Sequence, residues 1–392
     1  MIKKRDFLIT LLIIFILGVL TTIIASNLIS MIFGMVTVNG SQYEEYKLYK
    51  EKYRKLIAFE EYIKSNYYLP IDEGVLEIGA YKGQFASLGD IYTTYYTASE
   101  FAAQNERTQG EFTGIGAYLF KDDEGEIVIE RVIEGGSAET QGLLAGDVIV
   151  NIDGRSYKEE ELKAAVDYLR GEEGTTVNLL IRRDENEFDV VLTRTVIATP
   201  SVYSYLRDDG IGYIQVASFS GHSAEEFKNK LADMENDQAK GLIIDLRNNL
   251  GGIVEQGVEI ADMLLDAGTV ATLIYGDGEE VVYETKAGAT DIPYTVLVNA
   301  FSASTSEILA AAIKENHGGF LVGTVTTGKG IVQKLEAFRD GDGARITIAQ
   351  YYTPEGHQVN GVGVTPDYIV EESDVGDVDV QLEKAVELLL TG

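Results

Sequence analysis

The sequence predicts a mixed α/β protein built in layers, and three observations carry that prediction. Over the C-terminal half, β-rich runs at 210–216, 241–246, 294–299 and 320–323 alternate with helical patterns at 223–233, 254–265 and 304–315, which is the signature of crossover units on a mainly parallel sheet. Between 110 and 195 the pattern changes to short strands and glycine turns with two short helices, a β-rich segment set into the chain. Near the N-terminus one uninterrupted apolar run covers 7–25, with further apolar residues from Leu28 to Val36.

In chain order, Lys3, Lys4 and Arg5 precede that run, so positive charge on the near side predicts an N-in, C-out signal anchor. A cleaved, secreted form is the alternative, although the apolar run is long and no clean A-x-A site closes it. The expected divisions are 1–38 as cytoplasmic tip and membrane helix, 39–109 as an N-terminal helical region, 110–195 as the β-rich domain, 196–370 as the layered core and 371–392 as an acidic linker with a final helix. Tyr46, Tyr49, Tyr53, Leu56 and Ile63 recur at helical spacing and predict an amphipathic helix that packs on the protein's own body. Val380, Leu382, Ala385, Val386, Leu388 and Leu389 predict a second one. Two such terminal helices would also allow a homodimer.

Inside 110–195, 114–119 opens the domain, 127–132 is a β-branched run, and a strand lies between the glycine turns at Gly142 and Gly154. A helix over 160–169 and a hairpin of 176–182 with 187–193 complete it. Past the core helices, 343–352 reads as one more strand after Asp340-Gly-Asp-Gly343.

Composition excludes several functions. With 63 acidic against 32 basic residues the net charge is −31, which opposes nucleic-acid binding, because phosphate recognition needs a basic surface. The same acidity suggests that acidic polypeptide tails are disfavoured as partners. The chain has no cysteine, so thiol nucleophiles, disulfides and thiolate metal sites are absent. Its three histidines, His222, His317 and His357, stand before a helix, beside a Gly-Gly helix end and in a Pro-Glu-Gly turn, positions that suit capping or surface roles better than general-base catalysis. No His-Glu-x-x-His helix or Gly-x-Ser-x-Gly elbow appears, and neither a metal nor another cofactor is expected.

Two segments point to chemistry. Gly323-Thr-Val-Thr-Thr-Gly-Lys-Gly330 comes close to a phosphate-binding loop, but Gly330 replaces the hydroxyl residue that would hold magnesium, and 331–335 reads as a strand where a helix is required. If 328–335 is extended, Lys329, Ile331, Gln333 and Leu335 share a face. An amine held among apolar groups has a depressed pKa and hence a larger neutral, proton-accepting fraction, with Gln333 placed to orient it. Twenty-five residues before Lys329, Ser304 heads Ser304-Thr-Ser-Glu307, which reads first as a capping box, although the same position also suits a nucleophile at a helix start, where N–H groups would stabilise an oxyanion.

Two resemblances bear on these segments. Ser137-Ala-Glu139 and Ala145-Gly-Asp-Val-Ile149, within 110–195, make that region similar to a PDZ domain. The turn Gly114-Ile115-Gly116 would then offer N–H groups to a peptide's terminal carboxylate while the peptide adds a strand, and Val166 and Leu169 would line the side-chain pocket. Further on, Gly241-Leu-Ile-Ile-Asp-Leu-Arg-Asn-Asn-Leu-Gly-Gly252, Ser302-Ala-Ser-Thr-Ser-Glu-Ile308, Thr327-Gly-Lys-Gly-Ile-Val-Gln333, and Tyr352-Thr-Pro-Glu-Gly356 with Gly361-Val-Gly-Val-Thr-Pro-Asp367 follow one another in the order found in carboxy-terminal processing peptidases, the tail-specific proteases. The resemblance runs from about Leu76 to Ile369. It implies Ser304 as nucleophile, Lys329 as base and Gln333 as the residue that positions it. The oxyanion hole would combine the N–H of Thr305 with one from Gly251 or Gly252, while Asp245 and Arg247 buttress the loop. Leu250 stands where the family has proline and Thr305 where it commonly has alanine. The function implied is a membrane-anchored serine endopeptidase acting on extracytoplasmic polypeptides with exposed, flexible, apolar C-termini. The alternative is a non-catalytic, membrane-tethered peptide-binding adaptor.

Overall fold

The computed structural model describes residues 4–33, 39–158, 162–372 and 378–391. It separates into two compact units, residues 1–80 and 81–392. The division falls inside the expected 39–109 region, and helix Val75–Ala86 runs across it.

In the first unit, helix Lys4–Phe33 contains the 19-residue stretch Phe7–Ala25, whose mean hydropathy of 3.0 makes it long and apolar enough to cross a bilayer. Residues 34–36, the end of the apolar extension read from the sequence, lie outside the described residues. Helix Gly40–Asn66 begins at a reciprocal cap: Asn39 Oδ1 accepts the Gln42 N–H at 2.8 Å, and Gln42 Oε1 accepts the Asn39 N–H at 3.3 Å. None of its residues is buried, and Tyr46, Tyr49, Tyr53, Leu56 and Ile63 are all exposed. The helix forms as its periodicity predicts.

The second unit is organised by a six-stranded sheet in the order Tyr368–Ile369, Phe320–Gly323, Tyr294–Val298, Gly241–Asp245, Ile211–Val216, Val202–Leu206. Every pairing is parallel except that of the last strand, which is antiparallel. Gly241–Asp245 and Tyr294–Val298 are buried at every position, as strands covered on both faces must be. Strand alternation divides their side chains between two cores. Leu242, Ile244, Val296 and Val298 pack with helices Ser223–Asn236, Val254–Leu264 and Thr305–Glu315. Ile243, Leu297, Ile211 and Val322 face the other way, against Ala385 and Val386 of helix Val380–Thr391. The apolar face of that C-terminal helix is therefore engaged within the subunit.

An antiparallel sheet adjoins it. Strand Gly343–Tyr352 pairs with Thr94–Tyr96, Ile331–Ala337 and Thr269–Tyr275, and the last of these carries Glu280–Glu284 as a hairpin partner. The β-rich insertion is a five-stranded antiparallel sheet, Ala117–Lys121, Ile127–Val132, Val148–Ile152, Thr176–Arg183 and Asn186–Thr193 in spatial order, with its own core including Ile129, Leu143, Leu179 and Leu192. Its entry strand Glu111–Gly114 pairs with its exit strand Thr195–Ala198, so the domain leaves and returns through one ribbon. The helix expected over 160–169 is described from Leu162 to Leu169, residues 159–161 being outside the described set.

The C-terminal helix is fixed by charge as well. Asp245, 1% exposed, accepts from the backbone and guanidinium of Arg247, which also bonds Asp379 at 2.8 Å and Gln381 Oε1 at 3.1 Å. Removing one member of such a buried pair strands the other charge and costs about 3–5 kcal/mol. Arg247→Ala is therefore expected to lower the denaturant midpoint markedly; an unchanged midpoint would show that the Asp245–Arg247–Asp379 cluster does not hold the fold.

Candidate active site

Ser304 is the N-cap of helix Thr305–Glu315 and adopts φ 56, ψ −115, a conformation that L-residues rarely occupy. Such strain costs on the order of 1–3 kcal/mol and persists only where the surroundings enforce it. They do so here through hydrogen bonds on each side: Ala303 donates to Asn249 O at 3.0 Å, Ser306 Oγ to the same carbonyl at 2.8 Å, and the Tyr351 hydroxyl to Ser304 O at 3.2 Å. The capping box is formed from the glutamate side, since Ser304 N–H donates to Glu307 Oε2 at 2.8 Å. The Glu307 N–H in turn goes to the Ser304 carbonyl at 2.8 Å, so Glu307 and Ser304 cap the helix start reciprocally.

Glu307 also reaches the lysine segment. Fully buried, it accepts from Ser304 N and Lys329 N (2.9 Å) on Oε2, and from Thr326 Oγ1 (2.5 Å) and Gly328 N (2.6 Å) on Oε1. Four donors converge on one carboxylate, each charge-assisted bond contributing about 1.5–3 kcal/mol. The phosphate-loop lookalike is thereby explained. Its N–H groups do cradle an anion, but the anion is the protein's own glutamate, and strand Ile331–Ala337 follows where a nucleotide site would have a helix.

Lys329 itself is half-buried, with its amine 4.7 Å from the centre of the Tyr92 ring and in no ion pair or hydrogen bond among the described residues. Burial first, and then the Arg345 guanidinium, push its pKa below the ordinary lysine value, against the opposite pull of Glu307 and Asp90. The strand begins only at Ile331, and its register against Gly343–Tyr352 shifts between Val332 and Gln333, with Ile348 of the partner strand left as the extra residue. Gln333 Nε2 donates to Thr347 Oγ1 at 3.3 Å, and Thr347 donates to Asp90 at 2.6 Å. No hydrogen bond joins Gln333 to Lys329 in this arrangement.

The loop after strand Gly241–Asp245 faces Ser304. Gly251 has φ +96, and a Cβ on it would lie 2.9 Å from Ser304 Cβ and 3.0 Å from Thr305 N, so only glycine fits there. Its N–H donates to Asn249 Oδ1 at 2.8 Å, whereas those of Gly252 and Thr305 donate to no described group. Thr305 Oγ1 donates to Gly252 O at 3.0 Å, tying the two segments together. Its methyl group fits because residue 257 is glycine, where a Cβ would come within 2.4 Å.

Ser304, Lys329, Gln333, Gly251 and Gly252 line a single cleft of about 670 Å3, with Leu250 exposed beside them. No histidine lines it. His222 is the N-cap residue of helix Ser223–Asn236 and pairs its side chain with Glu111, and His357 pairs with Glu315. A second cavity, of about 380 Å3, is lined by Gly114, Ile115, Gly116, Val166 and Leu169, between edge strand Ala117–Lys121 and helix Leu162–Leu169. The N–H groups of Ile115 and Gly116 donate to no described group, so the turn offers donors where a carboxylate would lie.

The site tests its own linchpin. Glu307→Gln turns donor-facing oxygens into a carboxamide whose NH2 opposes two of the four donors. A stability loss of about 2–3 kcal/mol is expected by denaturant unfolding, with peptide hydrolysis falling at least tenfold; unchanged stability would contradict the role given to Glu307.

Comparison with known proteins agrees with this geometry. A profile for peptidase family S41 matches residues 210–370, and one for a PDZ domain matches residues 128–183. The carboxy-terminal processing protease CtpA of Bacillus subtilis is 35% identical over 363 residues, 92% of this chain and 77% of that protein. A probable CtpA-like serine protease of Staphylococcus haemolyticus is 34% identical over 78% of this chain, which spans 62% of its length. Among solved structures, the photosystem II D1 C-terminal processing protease aligns at 28% identity over 85% of this chain and 94% of its own, with a TM-score of 0.48. The chain belongs to peptidase family S41 and is a serine-type carboxy-terminal processing peptidase with an inserted PDZ domain.

Proposed function

We propose that this peptidase is a membrane-anchored endopeptidase that works through a Ser304–Lys329 dyad. The observation that carries the reading is the convergence of Ser304 N, Gly328 N and Lys329 N on the buried Glu307 carboxylate, which fixes both segments at one cleft. The neutral Lys329 amine takes the Ser304 proton as Oγ attacks the scissile carbonyl. The N–H groups of Gly252 and Thr305 stabilise the oxyanion, each such donor contributing about 2.7–4 kcal/mol to the transition state. The lysine ammonium then protonates the departing amine. A water that loses its proton to the same amine hydrolyses the acyl-enzyme. Gly251 supports the loop instead, because its own N–H is already bonded. Gln333 enters as the orienting residue once its amide leaves Thr347.

Helix Phe7–Ala25 supports anchoring with the catalytic unit outside the cytoplasm, and the open edge of strand Ala117–Lys121 supports capture of a flexible apolar C-terminus by strand addition. Substrates on this reading are extracytoplasmic polypeptides with exposed tails.

Ser304→Ala should abolish cleavage of a disordered protein with an apolar C-terminus. Cleavage by both forms would exclude Ser304, and cleavage by neither would favour the peptide-binding adaptor. Because only the neutral amine accepts the proton and its pKa lies below the ordinary lysine value, activity should rise with pH through a single ionisation and then level. That ionisation should vanish with Lys329→Ala; a profile unchanged in that variant would rule the lysine out as base. Leu169→Glu places charge in the apolar PDZ groove and should raise KM for long tails by about tenfold while leaving short peptides unaffected; equal effects on both would detach the groove from substrate capture.

A further inference from the structure

The cleft reverses the charge of the molecule around it. Across the chain carboxylates outnumber Lys and Arg by 63 to 32, yet the charged residues lining the cleft are Arg107, Lys329, Lys334 and Arg345 against the single carboxylate of Glu255. Glu255 accepts from the Tyr283 hydroxyl at 3.3 Å, and Lys334 is paired with Glu336, which is not part of the lining. The two arginines differ from these. Arg107 is exposed, and its guanidinium takes part in no ion pair or hydrogen bond among the described residues. Arg345 gives one N–H to Tyr92 O at 2.9 Å and pairs with no carboxylate among the described residues. Asp90 lies close enough to feel its charge, but that carboxylate already accepts from Tyr92 N, Thr93 Oγ1 and Thr347 Oγ1.

A simpler explanation covers only part of this. Arg107 sits in the last turn of helix Ala98–Gln109, where any cation suits the helix dipole. Arg345 is on a strand, where no such rule applies, and it lines the same space. In a protein of net charge −31, unneutralised guanidinium groups facing one cleft create a local field that attracts anions.

We propose that the active-site cleft selects polypeptides by charge: Arg107, together with Arg345, binds a carboxylate of the chain lying in the cleft, supplied either by an acidic side chain near the scissile bond or by the chain's own C-terminus. The inference rests on the reading that this cleft receives a polypeptide. It also reverses the expectation from net charge, since the acidic body repels acidic tails in general while the cleft accepts a carboxylate placed beside the reacting bond. The guanidinium fork matches a carboxylate's two oxygens, which makes arginine better suited than lysine to this task.

Binding is measured on the full chain carrying Ser304→Ala, so that hydrolysis does not interfere. Three apolar peptides of one sequence are compared: a central Gln with an amidated C-terminus, a central Glu with an amidated C-terminus, and a central Gln with a free C-terminus. At low salt at least one charged peptide should bind roughly two- to fivefold more tightly than the neutral one, the range for a partly exposed ion pair, and which of them gains identifies the carboxylate's source. The gain should disappear with Arg107→Gln and at high salt, where the Debye length shortens. It should persist in part with Arg107→Lys, and a Lys-containing peptide should be preferred by Arg107→Glu. Equal affinity for all three peptides, or a gain that survives Arg107→Gln intact, would overturn the proposal. Hydrolysis of the same peptides by the chain with Ser304 restored is scored separately: charge preference without hydrolysis would remove the dyad reading and leave this one standing.

Discussion

One buried carboxylate holds the catalytic machinery in register. Glu307 lies in the first turn of the helix that Ser304 begins, and its oxygens receive the backbone of both Ser304 and Lys329. Burying a carboxylate costs several kcal/mol, and only a full set of donors offsets it. Here four donors do so, and three are main-chain N–H groups that no side-chain substitution can remove. The outcome is geometric: the Ser304 backbone stays in a strained conformation while the lysine segment is pinned against it. Thr326 extends the arrangement, since its hydroxyl donates to Glu307 and accepts from Val364 N at 2.7 Å, bringing in the 361–367 loop.

The electrostatics at Lys329 are a contest with a defined sign. Burial and the Arg345 charge favour the neutral amine; Glu307, Asp90 and the face of the Tyr92 ring favour the ammonium. A cation–π contact is worth about 0.5–2 kcal/mol depending on desolvation. The first pair prevails, so the neutral form of the amine is more populated than on a surface lysine. On the proposed mechanism, desolvation would then supply in this cleft the proton acceptor that other hydrolases draw from an imidazole.

Much of this was legible in the sequence, and the remainder failed for identifiable reasons. The parallel core was readable because its strands are buried on both faces and appear as apolar runs, and the PDZ-like insertion because glycine turns punctuate its strands. Ser304 was ambiguous on local chemistry, since Ser-Thr-Ser-Glu describes a helix cap, and in the structure Ser304 does head the helix with Glu307 capping its N–H. The unusual backbone at Ser304 carries no sequence signal, because no glycine flanks it in an elbow pattern. Alternation from Lys329 to Gln333 could not show that the strand starts only at Ile331 or that its partner strand carries an extra residue opposite Gln333, and the tyrosine stripe of Gly40–Asn66 signalled a helix correctly. Glu307 was visible only as a cap residue, because its second set of partners lies some twenty residues downstream and meets it only through the fold. The cleft's positive lining was hidden too, being gathered from helix, loop and strand in a chain whose total charge has the opposite sign.

The account stands on Lys329 being the group that activates Ser304. The most direct measurement is the rate at which a fluorophosphonate labels the protein as a function of pH, with the modified residue identified by mass spectrometry. The account predicts labelling confined to Ser304, with a rate that rises as one group of pKa below the ordinary lysine value loses its proton, and labelling nearly lost in Lys329→Ala. Labelling at another serine, or at Ser304 with the same rate and pH dependence in Lys329→Ala, would contradict it.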